Sequence, residues 1–249
     1  MKVVLRTGLA AGLAVALLFG TTLSAADNTP AAAIERLKSG NARFVANAAA
    51  GLPVDEATRQ AQTKGQSPYA IVLSCADSRV PPEIIFNAGL GELFVIRTAG
   101  EVTDKAVLAS VEYAAEHLHT PLLVVMGHES CGAVKATVET KPGAASMGPN
   151  LDALVAAIRP AFDRMSEPAD LEHMREAVLA NVEQVVNDIL EDSQIVNHLA
   201  TAGDIQLVGA YYELGTGRVR FSQPVSAATI PAGRAGSPGH AAPKTPAHK

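Results

Sequence analysis

The chain has 249 residues, 48% of them apolar, and a formal charge of -5, enough for one domain of about 200 residues with a real core once the ends are set aside. Its acidity removes the general electrostatic reason to bind nucleic acid. The absence of tryptophan and the 4% aromatic content remove the stacking platform for bases.

In chain order, residues 1–26 carry the layout of a secretory signal. Lys2 and Arg6 precede an apolar run from Leu9 to Phe19, and small residues follow to Ser24-Ala25-Ala26. The run is short for a retained span, so cleavage after Ala25 or Ala26 and a soluble, periplasmic or secreted protein are expected, an uncleaved anchor being the alternative. Thr29-Pro30 then reads as N-cap and first helical position. Ala33, Ile34 and Leu37 form an apolar stripe, and Gly40 is expected to end the helix. Residues 41–50 read as a second helical piece, and the two together as an arm packing on the main domain or a neighbouring subunit. Residues 51–66 read as a polar connection.

Tyr69–Leu73 is a near-continuous apolar run, expected as a central strand covered on both faces. Residues 83–88 suggest a short helix, Leu93–Arg97 a second strand and Thr103 to about His119 a helix. Leu122–Met126 suggests a third strand, followed by a helix after Gly132. This rhythm of strand, crossover and strand predicts an α/β fold with a mainly parallel sheet. Amphipathic helices are expected over residues 151–165, interrupted at Pro160, and over 171–189, with a short one near Ile195 and Leu199. Residues 205–214 suggest a fourth strand, with Arg218–Phe221 returning as an antiparallel hairpin after Gly215-Thr216-Gly217. The catalytic domain is taken as residues 27–222. Residues 223–249, rich in Pro, Gly, Ala and Ser, are read as a disordered tail.

The chemistry concentrates in two short stretches, Ser74-Cys75-Ala76-Asp77-Ser78-Arg79 and Gly127-His128-Glu129-Ser130-Cys131-Gly132. They hold the only two cysteines, and each follows an apolar strand, where ligands collect in parallel sheets. Two thiolates and an imidazole are a credible donor set for zinc, with Asp77 or water in the fourth place. In an exported protein a Cys75–Cys131 disulfide is the alternative, though it would leave the adjacent Asp77 and His128 without a task. A closed structural zinc site is a further one. Arg79 favours catalysis: pairing with Asp77 would keep the carboxylate off the metal and leave the fourth position to a water, which zinc brings to ionise near neutral pH. Phe94, Ala99, Gly100 and Val134 suggest a small apolar pocket, suited to carbon dioxide attacked by hydroxide.

These two stretches resemble the paired signatures of the β-class carbonic anhydrases. The resemblance runs over residues 37–221, through Gly40-Asn41-Ala42-Arg43-Phe44, Gly91–Arg97, Ser110-Val111-Glu112-Tyr113 and Gly209–Leu214. It implies a zinc lyase that reversibly hydrates carbon dioxide to bicarbonate and a proton. Cys75, His128 and Cys131 would be the metal ligands. Asp77 would bind zinc in a closed form or pair with Arg79 in the active one. It further implies pocket roles for Gln66, Phe94 and Tyr113, beside Gly100 and Gly132, and a homodimer or dimer of dimers with active sites near the interface. Two departures stand out. Arg97-Thr98-Ala99-Gly100-Glu101 replaces the family's Arg-Asn followed by Ala-Asn, and the tryptophan of the bicarbonate-locked branch is missing, so an open site is expected. The rival readings are attack on carbonyl sulfide or carbon disulfide by the same fold, and a non-catalytic zinc or thiol-redox protein. The sequence places no free histidine near the zinc, and His117 and His119 are only candidates for the proton shuttle.

Overall fold

A five-stranded sheet in the order β2-β1-β3-β4-β5 is the frame of the molecule. The computed structural model describes residues 28–225, except 49, 50, 53, 142, 167 and 168. The expected signal segment and nearly all of the expected tail lie outside these residues. Strands β1 (Ala70–Cys75), β2 (Leu93–Thr98), β3 (Leu122–His128) and β4 (Gln206–Tyr212) are parallel, and β5 (Val219–Phe221) pairs antiparallel with β4. This is the α/β architecture read from the sequence, hairpin included. Among the described residues no helix is long and apolar enough to cross a membrane.

The inner strands alternate between two apolar layers, as period-two geometry requires. Ile71, Leu73, Leu123, Val125 and Leu207 face one layer, packed with α4 (Lys105–Glu112), α7 (Met174–Asp192) and α8 (Gln194–Ala202). Ala70, Val72, Leu122, Val124, Met126 and Val208 face the other, packed with α1 (Pro30–Val45) and α3 (Pro82–Ile85). Strand β2 pairs only with β1 and is half-buried along its whole length, so it is an edge.

The chain crosses itself once in a way that matters. From β1 it moves outward to β2, then returns past β1 to β3 on the other side. The C-terminal ends of β1 and β3 therefore flank a topological switch point, the crevice where open α/β sheets hold ligands.

Two expectations for the N-terminal region need correction. Thr29 does cap α1, its Oγ1 accepting from Ala32 N at 3.2 Å, but the helix runs through Gly40 to Val45 instead of ending there. Gly40 serves a close approach: a Cβ at that position would sit 1.8 Å from the Phe86 carbonyl oxygen. The next residue, buried Asn41, fastens the same face, donating to Ile85 O at 3.2 Å and Gly217 O at 2.8 Å and accepting from Val219 N at 2.9 Å. The helix thus packs on its own domain. The polar connection also contains a helix, α2 (Glu56–Gln62), capped by Asp55, whose side chain accepts from Thr58 N at 2.8 Å. With no buried residue, it has no apolar stripe for periodicity to detect. Between α2 and β3 the reading holds. The helix after Gly100 begins at Lys105 under an Asp104 cap and finishes in a π-turn, Tyr113–His117. Downstream, α6 (Pro149–Ile158) gives way at Pro160 to a 3-10 segment, as expected.

Helix propensity alone favours Gly40→Ala by about 1 kcal/mol. The Phe86 carbonyl reverses that sign, because backbone cannot swing aside as a flexible side chain can. Denaturant unfolding of Gly40→Ala should show a net loss of roughly 1–3 kcal/mol; a stabilised variant would mean that the helix does not lie on Phe86.

Candidate metal centre

Cys75 is the last residue of β1 and His128 the last of β3; Cys131 follows one turn later, just before α5 (Gly132–Glu139). Because β1 and β3 are neighbours in register, with Ser74 opposite Met126, the three side chains converge at one edge of the sheet. One donor atom from each lies within 4.8 Å of the others, and all three residues are buried. The Sγ atoms are 4.0 Å apart and unbonded, both cysteines being free.

The donor set fits a zinc ion on grounds internal to the chain. His128 Nδ1 bonds the Glu129 carbonyl oxygen at 2.8 Å, which makes Nδ1 the protonated nitrogen and leaves Nε2 as a lone pair. That Nε2 is buried without any hydrogen-bond partner, an orphan that a cation would satisfy. The two sulfurs lie within hydrogen-bonding distance of each other, at 4.0 Å. The bond from Cys131 to Cys75 lowers the Cys75 thiol to about 4, while the same bond, with burial, pushes the Cys131 thiol up. A dication between them would hold both as thiolates. Apolar packing by Val134, Ile158, Ala177, Val178 and Tyr211 closes around the sulfurs.

Asp77 and Arg79 form the pair expected from their spacing. Arg79 Nε donates to Asp77 Oδ1 at 2.9 Å and Nη2 to Oδ2 at 2.7 Å, a two-point clamp. The Arg79 backbone N–H also donates to Oδ1 at 2.9 Å, and Nη2 reaches Ser130 O at 3.4 Å, tying the first stretch to the second. Asp77 Oδ2 lies 3.9 Å from His128 Nε2, so the carboxylate faces the ligand cluster while Arg79 holds it. The Arg79 bonds keep the Asp77 carboxyl well below the usual carboxylate range, against a smaller opposing effect of burial. With its folded pKa depressed, the stabilisation this pair gives is present above the unfolded value near 3.9 and is lost as pH falls through the folded value.

Two residues that shape the site, Arg97 and Asn181, were not legible as site residues, whereas Gly100 and Gly132 were expected there. Arg97, at the end of β2, donates to Cys75 O at 3.0 Å and Asp77 O at 2.5 Å, shaping the loop from the neighbouring strand. Gly100 has φ 65° and donates its N–H to Cys75 Sγ at 3.4 Å; a Cβ there would meet Ile158 Cδ1 at 2.8 Å. Gly132 opens α5 with free space around its Cα. Asn181, from α7, bonds Gly100 O at 2.9 Å.

Three of the expected pocket residues are not brought to Cys75 within the chain. Phe94 pairs with Ile71, four residues upstream of Cys75 and so about 13 Å away along the strand. Tyr113, its ring 6.3 Å from that of Phe94, lies with it, and Gln66 precedes the start of β1. His117 and His119 are likewise not brought to the ligands within the chain, since they lie just before β3 begins, about 20 Å along that strand from His128. Helix α4 leaves the ligand edge and delivers residues 113–119 to the opposite edge, from which β3 returns.

A family model described as carbonic anhydrase matches residues 70–219. A carbonic anhydrase of Mycolicibacterium smegmatis is 39% identical over 199 residues, spanning 78% of this chain and 94% of that protein. Carbonic anhydrase 2 of Mycobacterium tuberculosis is 38% identical over 192 residues, spanning 77% and 92%. Among solved structures, the β-carbonic anhydrase of Coccomyxa, in complex with acetazolamide, superposes with TM-score 0.61 at 28% identity, covering 76% of this chain and 86% of that one. A tetrameric β-carbonic anhydrase of the ascomycete Sordaria macrospora shares the fold, with TM-score 0.58 at 22% identity over 68% of this chain and 87% of that one.

Cys131→Ala deletes one of three donors and should take the zinc content of the dialysed protein from about one ion per chain to near none. Elemental analysis decides it: full zinc in this variant would place the metal elsewhere.

Proposed function

This chain belongs to the β-carbonic anhydrases, and on that premise we propose that Cys75, His128 and Cys131 hold its zinc while Asp77 and Arg79 organise the substrate side of the site. The reaction is the family's reversible hydration of carbon dioxide to bicarbonate and a proton. Zinc supplies a Lewis acid that lets water ionise near neutral pH. The remaining work falls to the chain. Glu129 O fixes the His128 tautomer, so Nε2 alone is offered as a donor. The apolar wall of Val134, Ile158 and Val178 keeps water from the sulfurs. Asp77, ionised and clamped on both oxygens by Arg79, accepts a hydrogen bond from the attacking water and turns its lone pair toward the carbon of carbon dioxide. The observation that carries this reading is the Asp77–Arg79 clamp facing an orphaned, buried histidine nitrogen.

The half-exposed edge strand β2 and the distant placement of Gln66, Phe94 and Tyr113 support a homodimer. Tyr113 is 47% exposed, an aromatic ring left half in water. In that dimer the partner's Gln66, the partner's Phe94 and the partner's Tyr113 line the pocket beside Gly100 and Gly132. We further propose export, supported by the charged start, apolar run and small residues of positions 1–26. Outside the cytoplasm the enzyme would interconvert a gas that crosses membranes and an ion that does not.

Stopped-flow hydration of carbon dioxide, run from about pH 6.5 to 9 on zinc-quantified protein, tests the mechanism. Asp77→Asn should lower kcat/KM roughly 10²-fold or more at unchanged zinc content. The rising pH profile should keep its midpoint in the variant, because Asp77 is already ionised throughout that range. An undiminished rate would remove Asp77 from the mechanism. Native mass spectrometry of the exported protein reads the other two proposals together. A dimer of chains beginning near residue 26 or 27 supports both, whereas a monomer, or chains retaining the first residues, counts against the corresponding one.

A further inference from the structure

Glu101, next to Gly100, has no role in the account above, yet it has no solvent exposure and adopts φ 46°, a left-handed conformation uncommon for glutamate. Its Oε1 accepts a hydrogen bond from Asn181 Nδ2 at 3.0 Å, and the same nitrogen donates to Gly100 O at 2.9 Å. Gly100 N in turn donates to Cys75 Sγ at 3.4 Å. A short chain of bonds therefore connects this carboxyl to a zinc ligand.

The pair is unfinished in one specific way. Glu101 Oε2 and Asn181 Oδ1 are both buried acceptors without a partner. They belong to two groups already joined through Oε1 and Nδ2, and a single hydrogen on Oε2 answers both. No lysine, arginine or histidine among the described residues forms an ion pair with Glu101. An ionised carboxylate here would be a buried charge facing a neutral amide, an arrangement proteins avoid. The groups around it offer no positive charge. Asn181 of α7 is neutral, and so are Gly127 of β3, whose added Cβ would lie 3.1 Å from Oε1, and Val178 and Val182 on the same side. The ionisable groups that act on it or feel it are the Cys75 and Cys131 thiols, whose only charge, on ionisation, is negative. Bound zinc would be matched by these two thiolates, giving Glu101 no net cation to pair with. Burial first, and the Cys75 charge second, push the Glu101 carboxyl up to about 8, against the Asn181 bond, which lowers it.

We propose that Glu101 is a neutral carboxylic acid whose Oε2–H donates to Asn181 Oδ1, closing an acid–amide ring that fixes Gly100 against the Cys75 sulfur and positions that zinc ligand. Glu101 is thus a positioning residue; it touches neither substrate nor metal. A protonated acid and a primary amide each offer one acceptor and a donor, and either can close a ring with Asn181.

The last link, to the zinc ligand, rests on the zinc reading; the protonation does not. Infrared difference spectra of zinc-loaded wild type against Glu101→Gln at pH 7 should show the carbonyl stretch of a protonated carboxyl, shifted in heavy water, present only in the wild type. Transfer of zinc to a competing chelator supplies the second readout. Glu101→Gln, which keeps a donor for Asn181 Oδ1, should release zinc within about twofold of the wild-type rate, while Asn181→Leu should release it about tenfold faster or more. Absence of the acid band overturns the proposal, as does Glu101→Gln losing zinc as fast as Asn181→Leu. Should Asn181→Leu fail to fold, the band and the Glu101→Gln release rate still decide it. A wild-type protein that takes up no zinc would instead sink the zinc reading and leave the band to judge the protonation alone.

Discussion

The parallel pairing of β1 with β3 is the constraint on which the site depends. Each strand ends in a loop carrying part of a donor set that is incomplete alone: one thiolate on the first, an imidazole and a thiolate on the second. Adjacency in the same direction brings both loops to one edge, and the return of the chain past β1 opens the crevice between them. Antiparallel pairing would have sent the two halves to opposite edges. The cost is that three acid-forming groups, two thiols and Glu101, are gathered in a buried space. A dication relieves the first two, and a retained proton the third.

Around this centre the chain uses backbone bonds to hold side chains still. Arg97 grips two carbonyl oxygens of the first loop, and Arg79 reaches one in the second. His128 is oriented by its neighbour's carbonyl, and Cys75 receives the N–H of Gly100. Such bonds reduce the freedom of the catalytic groups before substrate arrives, which is where positioning contributes to rate. The Asp77–Arg79 clamp belongs to the same economy. It is largely exposed on the arginine side and adds little to stability, but it fixes the direction in which a carboxylate accepts a hydrogen bond.

The opposite edge of the sheet has a different character. Phe94, on the edge strand β2, and Tyr113, in the π-turn that follows α4, have rings 6.3 Å apart and lie far from the ligands along the sheet. A single chain therefore separates the metal donors from the residues expected to wall the pocket, which is the observation behind the proposed homodimer.

Much was readable from residue type and local spacing. The apolar runs of β1 and β3, the turn before β5, the Asp77–Arg79 spacing and the His128–Cys131 spacing are properties of a few consecutive residues, and steric and bonding rules act on them directly. Gly40 shows the limit. Its helix-ending tendency is a local preference, and the approach of Phe86, forty-six residues later, overrode it. Gln66, Phe94 and Tyr113 show another, because spacing along the chain does not tell which edge of the sheet, or which subunit, a residue will serve. The same holds for Glu101. Alone it is an ordinary charged residue; only the packing of α7 against the turn after β2 removes its water, gives it Asn181 as partner and makes a proton the cheapest way to satisfy it. The sequence by itself determined which donors and strands exist. The tertiary structure decided which of them meet and in what charge state, because burial and long-range contact are set by the whole fold and not by neighbours in the chain.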